Sequence, residues 1–159
     1  SYICGMGVLT VSIKEELTLN GAQQGGVNTV SIASVTQSFK RVVTCPASVD
    51  TTVAMFQAGT NTQDGALDLQ DVKYLRVTNL DASNSVNLSL QISTAENGTA
   101  DSSCTVLLQA GKSFIMGAVH DGIAVDDDAA TINTTMTDLE SILVDPSSND
   151  VTLEIFIAS

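Results

Sequence analysis

Residues 86–92, Val86-Asn87-Leu88-Ser89-Leu90-Gln91-Ile92, alternate strictly between apolar and polar side chains. Residues 151–157, Val-Thr-Leu-Glu-Ile-Phe-Ile, repeat the pattern, with the Thr and the Glu on the face opposite Val, Leu and Ile. Successive side chains of a β-strand point to opposite faces of the sheet, so a period of two predicts strands with one buried face and one solvent-exposed face.

Eight further segments carry the same strand signals. They are residues 8–13, 27–35, 39–45, 53–56, 74–79, 105–109, 113–116 and 141–144. Segments rich in Gly, Asn, Asp and Ser separate them, as expected for turns. Helical periodicity is nearly absent; the best stretch, 134–143, is rich in Thr and predicts at most one helical turn near Asp138. About ten short strands without alternating helices predict an all-β protein, an antiparallel sandwich or a barrel, in a single domain.

The first 26 residues give the weakest structural prediction in the chain. Glycines bracket apolar strand material there, which suits an N-terminal arm that pairs with a neighbour, or a first strand followed by a Gly-rich loop. Residues 27–159 form the predicted β-sandwich domain. Four apolar residues near the N-terminus, Tyr2, Ile3, Met6 and Val8, are predicted to contact a partner, with burial in the chain's own core as the alternative.

Charge excludes two classes of partner. The chain has 159 residues, with 18 acidic and 6 basic side chains and a formal net charge of -12. Binding to nucleic acid phosphates or to an anionic membrane surface needs clustered Lys and Arg, whereas the basic residues here are scattered. We therefore expect neither nucleic acid nor membrane as a partner.

Catalytic and metal-binding patterns are also weak. The single histidine, His120, lies between an apolar run and an Asp-Gly turn, which favours a surface position over a catalytic one. No Ser or Cys lies in a nucleophile-elbow pattern. Residues 126–128 are three consecutive Asp, which suits Ca²⁺ chemistry, but their spacing does not match an EF-hand loop, and an exposed acidic loop is the favoured interpretation. We expect no enzyme activity, no cofactor and no metal site.

The three cysteines, Cys4, Cys45 and Cys104, are widely spaced and form no CxxC or Cys/His cluster. This spacing argues against a zinc site. Three reduced, mostly buried thiols are the expected state, with one disulfide as the alternative, and reduced thiols suit folding in a cytoplasm.

Residues 73–81, Lys-Tyr-Leu-Arg-Val-Thr-Asn-Leu-Asp, lead into the alternating strand at 86–92, and residues 107–114, Leu-Leu-Gln-Ala-Gly-Lys-Ser-Phe, form a later turn and strand. This layout resembles the virion structural proteins of tailed phages, including capsid decoration (cement) proteins. The closing strands at 143–158 are similar to the last strands of such proteins, so the resemblance covers roughly residues 73–159. It implies a jelly-roll-like sandwich that decorates or cements a capsid, often as a trimer, or a tail or fibre component.

Together, the residues and the resemblance predict a non-enzymatic, homo-oligomeric structural protein on the capsid surface of a virion, assembled in the host cytoplasm, with the major capsid protein as its partner. The alternative is a carbohydrate-binding or adhesin module. Sugar sites usually present aromatic platforms, and aromatic residues are 4% of this chain with no Trp, which disfavours that alternative.

Overall fold

The structure is a computed structural model that describes residues 6–57, 67–68, 72–92, 102–117, 124–125 and 137–159. In these ranges the secondary structure is β throughout. The strands are β1 (Gly7–Lys14), β2 (Thr18–Leu19), β3 (Ala22–Gln23), β4 (Val27–Val35), β5 (Ser38–Cys45), β6 (Thr51–Gln57), β7 (Leu67–Asp68), β8 (Tyr74–Asn79), β9 (Val86–Ile92), β10 (Ser102–Leu108), β11 (Ser113–Gly117), β12 (Ala124–Val125), β13 (Thr137–Asp145) and β14 (Val151–Ala158). Within the described ranges, no helix is long and apolar enough to span a membrane.

All ten predicted strands are present, and three of them, β4, β8 and β9, have the predicted bounds. The helical turn considered near Asp138 is wrong, because that residue lies in β13, which pairs with β9 on one side and β6 on the other. The short strands β2, β3, β7 and β12 were not predicted, since two residues are too few to show a period.

The chain divides into two compact units, Ser1–Gln37 and Ser38–Ser159. The first unit contains a single long hairpin. Strand β1 pairs with β4, β2 pairs with β3, and the same antiparallel register runs from Thr10 opposite Ser31 to Leu19 opposite Ala22. A two-residue turn closes it at Asn20 and Gly21, both with positive φ, which is the Asn-Gly turn that matches strand twist. From β1 to the turn this hairpin is about 40 Å long at the usual rise per residue. We call it the arm.

Strand β4, which the sequence analysis placed in the sandwich, belongs to the arm. The predicted boundary lay between residues 26 and 27, whereas the compact units meet between Gln37 and Ser38. The physical reason is the pairing of β4 with β1, which no local pattern in either strand specifies.

The second unit is a sandwich of two sheets. One sheet has the strand order β11-β8-β14-β5; the other has the order β10-β9-β13-β6-β7, with β12 beside β13. The sandwich has eight principal strands, which are, in chain order, β5, β6, β8, β9, β10, β11, β13 and β14. The first, β5, pairs with the last, β14; β6 pairs with β13, β8 with β11, and β9 with β10. This nested antiparallel pairing is the jelly-roll topology, so the predicted fold class is confirmed.

The core lies between the two sheets. Strand β14 shows the alternation most clearly, because Val151, Leu153, Ile155 and Ile157 are each fully buried while the residues between them are partly exposed. Val86, Leu88 and Leu90 of β9 belong to the same buried apolar cluster from the other sheet. One contiguous apolar cluster therefore holds the sandwich together.

A network of buried hydrogen bonds, which we call the polar network, fixes one end of the sandwich where the chain crosses from β8 to β9. The amide of Asn79, fully buried, donates from Nδ2 to the carbonyl oxygens of Asn84 (2.9 Å) and Leu108 (3.2 Å), and its Oδ1 accepts from the Asp81 N–H (2.9 Å). Asp81 Oδ1 in turn accepts from the N–H groups of Ser83 (2.8 Å) and Asn84 (2.7 Å). These backbone hydrogen bonds lower the pKa of Asp81.

Candidate interaction surfaces

The four residues predicted to contact a partner lie at the start of the arm. Met6 and Val8 are 73% and 67% exposed, which removes burial in the chain's own core as the explanation for these two. Tyr2 and Ile3 lie outside the described residues. Contact of these residues with a partner stays a prediction.

The arm has one apolar and one polar face. Because β-strand side chains alternate and paired residues share a face, Leu9, Val11 and Ile13 of β1 lie on the same face as Val30 and Ile32 of β4. Of these five side chains Ile32 is buried, whereas Ile13 and Val30 are exposed. We call this set the arm's apolar face.

The opposite face of the arm is hydrophilic. The hydroxyls of Ser12 and Thr29 are 3.0 Å apart across the pair of strands, and the ammonium of Lys14 lies 2.7 Å from a carboxylate oxygen of Glu16. Val27, the partner of Lys14, is an exposed apolar side chain on this face, so the face is mainly but not wholly hydrophilic.

The arm closes tightly at its middle. An added Cβ on Gly25 would lie 1.9 Å from the carbonyl oxygen of Glu15, so no other residue fits there without a shift of the backbone. Next to it, the N–H of Glu15 donates to the carbonyl oxygen of Gly26 (2.9 Å). The sequence analysis assigned this Gly pair to a turn; its role is a close approach of the two chains of the hairpin.

The outward face of the four-stranded sheet carries an ionic network. Arg76 donates from Nη2 to Glu154 Oε1 at 2.5 Å and also hydrogen-bonds the hydroxyl of Thr78. Lys40 Nζ lies 3.8 Å from the other oxygen of Glu154 and is much more exposed than the arginine. The hydrogen bond from Arg76, with the charge of Lys40, lowers the pKa of Glu154.

The outward face of the six-stranded sheet holds a shallow recess of about 250 Å³. Six of its lining residues are polar: Asp50, Asn87, Ser89, Gln91, Thr105 and Asp145. Asp145 pairs with Asn87 on β9, and its neighbour Val144 pairs with Thr51, which brings Asp50 alongside Asp145 from β6. We call this feature the acidic recess.

The acidic recess lacks neutralising charge. Oδ1 of Asp145 is buried and has no hydrogen-bond partner among the residues that the structure describes. Within the described part of the chain, neither Asp50 nor Asp145 takes part in an ion pair. Both carboxylates line the same recess, so a positive group from outside the chain would be attracted to this site.

The thiol groups differ in their surroundings. Cys45 is buried and Cys104 is exposed, and both are free; Cys4 lies outside the described residues. Burial raises the pKa of the Cys45 thiol, although the nearby Arg41 charge acts in the opposite direction. The expectation of buried thiols therefore holds for Cys45 and is wrong for Cys104, because strand β10 is at the edge of its sheet.

The residues considered for chemistry are not brought together in the described ranges. No group of three or more His, Cys, Asp or Glu side chains capable of holding a metal ion occurs among the residues that the structure describes. His120 and the three Asp at 126–128 lie outside those residues. The surfaces that the structure does define are the apolar face of the arm, the ionic network around Glu154 and the acidic recess.

No protein-family model and no curated protein matches the chain. Among solved structures, it is similar to a chain from a study described as "Bacillus endospore appendages form a novel family of disulfide-linked pili", with 11% sequence identity and a TM-score of 0.42. The similarity covers 77% of this chain and 83% of that chain. At this level it assigns neither a family nor a function.

Proposed function

We propose that this chain is a non-enzymatic structural subunit of a virion, most specifically a capsid decoration (cement) protein that stabilises the capsid by binding between capsomers. Its partner is the major capsid protein and its location is the capsid surface, reached by assembly in the host cytoplasm. The resemblance of residues 73–159 to tailed-phage virion proteins is the reason for proposing a virion location. The arm is the reason for proposing that the subunit docks through an exposed apolar surface.

The observation that carries the proposal is the exposed apolar surface of the arm. Two-stranded hairpins alone are marginally stable in water, because they have no second layer to bury their side chains against. Among the described residues, seven large apolar side chains of the arm are exposed, against six in the much longer second unit. These are Met6, Val8, Ile13, Leu17, Leu19, Val27 and Val30. An apolar surface of this kind marks a contact with another protein.

The sandwich supports the same proposal. Its jelly-roll topology is shared by viral capsid domains, although lectins and cupins also use it, so the fold alone does not choose between them. The polar, acidic surface suits a subunit that docks through hydrogen bonds and local apolar contacts.

A substitution pair tests the apolar face of the arm. Ile13→Asp places a carboxylate on the apolar face, and Ser12→Asp places the same group on the polar face at the neighbouring position. Procapsids assembled from the major capsid protein of the same genome are mixed with each protein and sedimented. We expect the wild-type protein and S12D to co-sediment, and I13D to bind at least tenfold more weakly, since a desolvated carboxylate opposes burial.

Circular dichroism of both variants controls for folding. A wild-type protein that stays in the supernatant at every concentration contradicts the proposed function. Equal binding by I13D and S12D leaves the virion role intact but rejects the apolar face of the arm as the docking surface. A glycan array with strong, specific signals would favour the carbohydrate-binding alternative instead.

A further inference from the structure

The charges of the second unit are divided between its two sheets. All five of its basic residues lie on or directly before strands of the four-stranded sheet. They are Lys40 and Arg41 in β5, Lys73 before β8, Arg76 in β8 and Lys112 before β11. The strands of the six-stranded sheet contain no Lys or Arg, while β13 alone carries Asp138, Glu140 and Asp145. In a chain with a net charge of -12, the four-stranded sheet is the positive side.

Of the two cations that contact Glu154, Lys40 is the one that is able to reach outward. Arg76 is held by Glu154 and its side chain is 26% exposed, whereas that of Lys40 is 64% exposed and its contact with Glu154 is loose at 3.8 Å. Lys40 lies on the edge strand β5, and Val42, two residues along the same face, is an exposed apolar side chain. A long, flexible ammonium beside an apolar contact is well suited to enter an acidic recess.

The acidic side presents the matching receptor. Asp50 and Asp145 both line the acidic recess, and within the described ranges neither forms an ion pair and Asp145 Oδ1 is buried without a hydrogen-bond partner. Leu107, paired with Asn87 at the same level of the sheet, is exposed and offers an apolar contact beside the recess. The outer face of the four-stranded sheet thus carries two cations and one carboxylate beside the exposed Val42, and the outer face of the six-stranded sheet carries two carboxylates beside the exposed Leu107.

We propose that the occupant of the acidic recess is a second copy of this chain, docked by the outward face of its four-stranded sheet, with Lys40 of that copy placed between Asp50 and Asp145. The two complementary faces lie on opposite sides of one sandwich. A contact between them is therefore heterologous: each docked pair leaves one basic face and one acidic recess free, and assembly continues into a ring or an open chain. The inference concerns self-association and stands independently of capsid binding.

Charge reversal tests this arrangement. The variants Lys40→Glu and Asp145→Lys each bring like charges together at the contact, and we expect each to weaken self-association at least tenfold in analytical ultracentrifugation at low salt. The control is Lys14→Glu, which makes the same charge change as K40E on the arm and should associate like the wild type. Wild-type association should also weaken as NaCl rises, because screening shortens the reach of exposed charges.

Mixing the two variants gives the decisive result. In an equimolar mixture, the new glutamate of K40E meets the new lysine of D145K, and the unchanged Lys40 of D145K meets the unchanged recess of K40E. Association should therefore return to near the wild-type level, which a general loss of folding could not produce. Circular dichroism checks each variant separately.

Three outcomes overturn the proposal: a wild-type protein that is monomeric at millimolar concentration and low salt, self-association that K40E and D145K leave unchanged, or a mixture that associates no better than its components. Binding of Ca²⁺ that raises the melting temperature of a monomeric wild type but not of D145K would assign the recess to a cation instead. Capsid co-sedimentation is read separately, so its failure does not decide this test.

Discussion

Replacing Asn79 by Ala tests whether the polar network between β8 and β9 stabilises the sandwich. The side chain makes three hydrogen bonds to main-chain groups, at 2.9, 3.2 and 2.9 Å, in a position with no solvent exposure. A typical intramolecular hydrogen bond contributes about 1 kcal/mol, and a buried group left unpaired costs more, so the expected loss is about 3 kcal/mol of the free energy of unfolding. For a chain of this length this corresponds to a fall of about 6–12 °C in the melting temperature.

The assay is urea unfolding followed by far-UV circular dichroism, because the chain has no Trp for fluorescence. The matched control is Asn149→Ala, since Asn149 is exposed and its Nδ2 donates to Asn84 Oδ1 at 3.1 Å on the surface. We expect N149A to change the free energy of unfolding by less than about 0.5 kcal/mol. If N79A lowers the free energy of unfolding no more than N149A does, the carbonyls of Asn84 and Leu108 are satisfied without the amide, and the polar network is not a stabilising element.

Three further results are expected. Leu153→Ala should cost about 2–5 kcal/mol in urea unfolding because its side chain is fully buried between the sheets, while Leu107→Ala, at an exposed site, should cost less than about 0.5 kcal/mol. Because the pKa of Glu154 is lowered in the folded state, its stabilising contribution is present above the ordinary Glu pKa of about 4.3 and is lost as the pH falls through the lower, folded-state pKa. In Glu154→Gln the melting temperature should therefore depend less on pH in that acid range. An unchanged slope of melting temperature against pH would contradict the role of the ion pair. Gly25→Ala should increase amide hydrogen exchange in the arm, because its Cβ meets the Glu15 carbonyl, whereas Gly26→Ala, which meets nothing within 4 Å, should exchange like the wild type.

Much of the sandwich was predictable because its strands are half buried. In β9 and β14 the alternation of side chains is complete, so both strands and their buried faces follow directly from the sequence. Strand β13 was only partly found, as residues 141–144, since its first half is rich in polar residues and carries a register shift between Leu139 and Ser141. A bulge of this kind breaks the period of two on which the prediction depends.

The arm shows a different limit. Its two long strands, β1 and β4, were recognised, yet β4 was assigned to the sandwich, because alternation reveals that a segment is a strand but not which strand it pairs with. The Asn-Gly turn at residues 20–21 did contain the information, since the register of the whole hairpin follows from that turn. The partner contact predicted for Met6 and Val8 came from local composition, whereas the apolar face of the arm needed the pairing of β1 with β4.

The separation of charge between the sheets could not be seen along the chain. The basic residues fall at positions 40, 41, 73, 76 and 112, which in sequence look scattered and were used only to exclude nucleic acid and membrane. The jelly-roll winding places the first, third, sixth and eighth principal strands in one sheet, and those basic residues lie on or beside the first, third and sixth. A general excess of acid would make the whole surface negative, but it would not restrict the five cations of the second unit to strands of one sheet or to the residues directly before them. The topology thus gathers cations that are scattered in the sequence onto one sheet, and the proposed self-association is the hypothesis that brings this sheet against the acidic recess of a second copy.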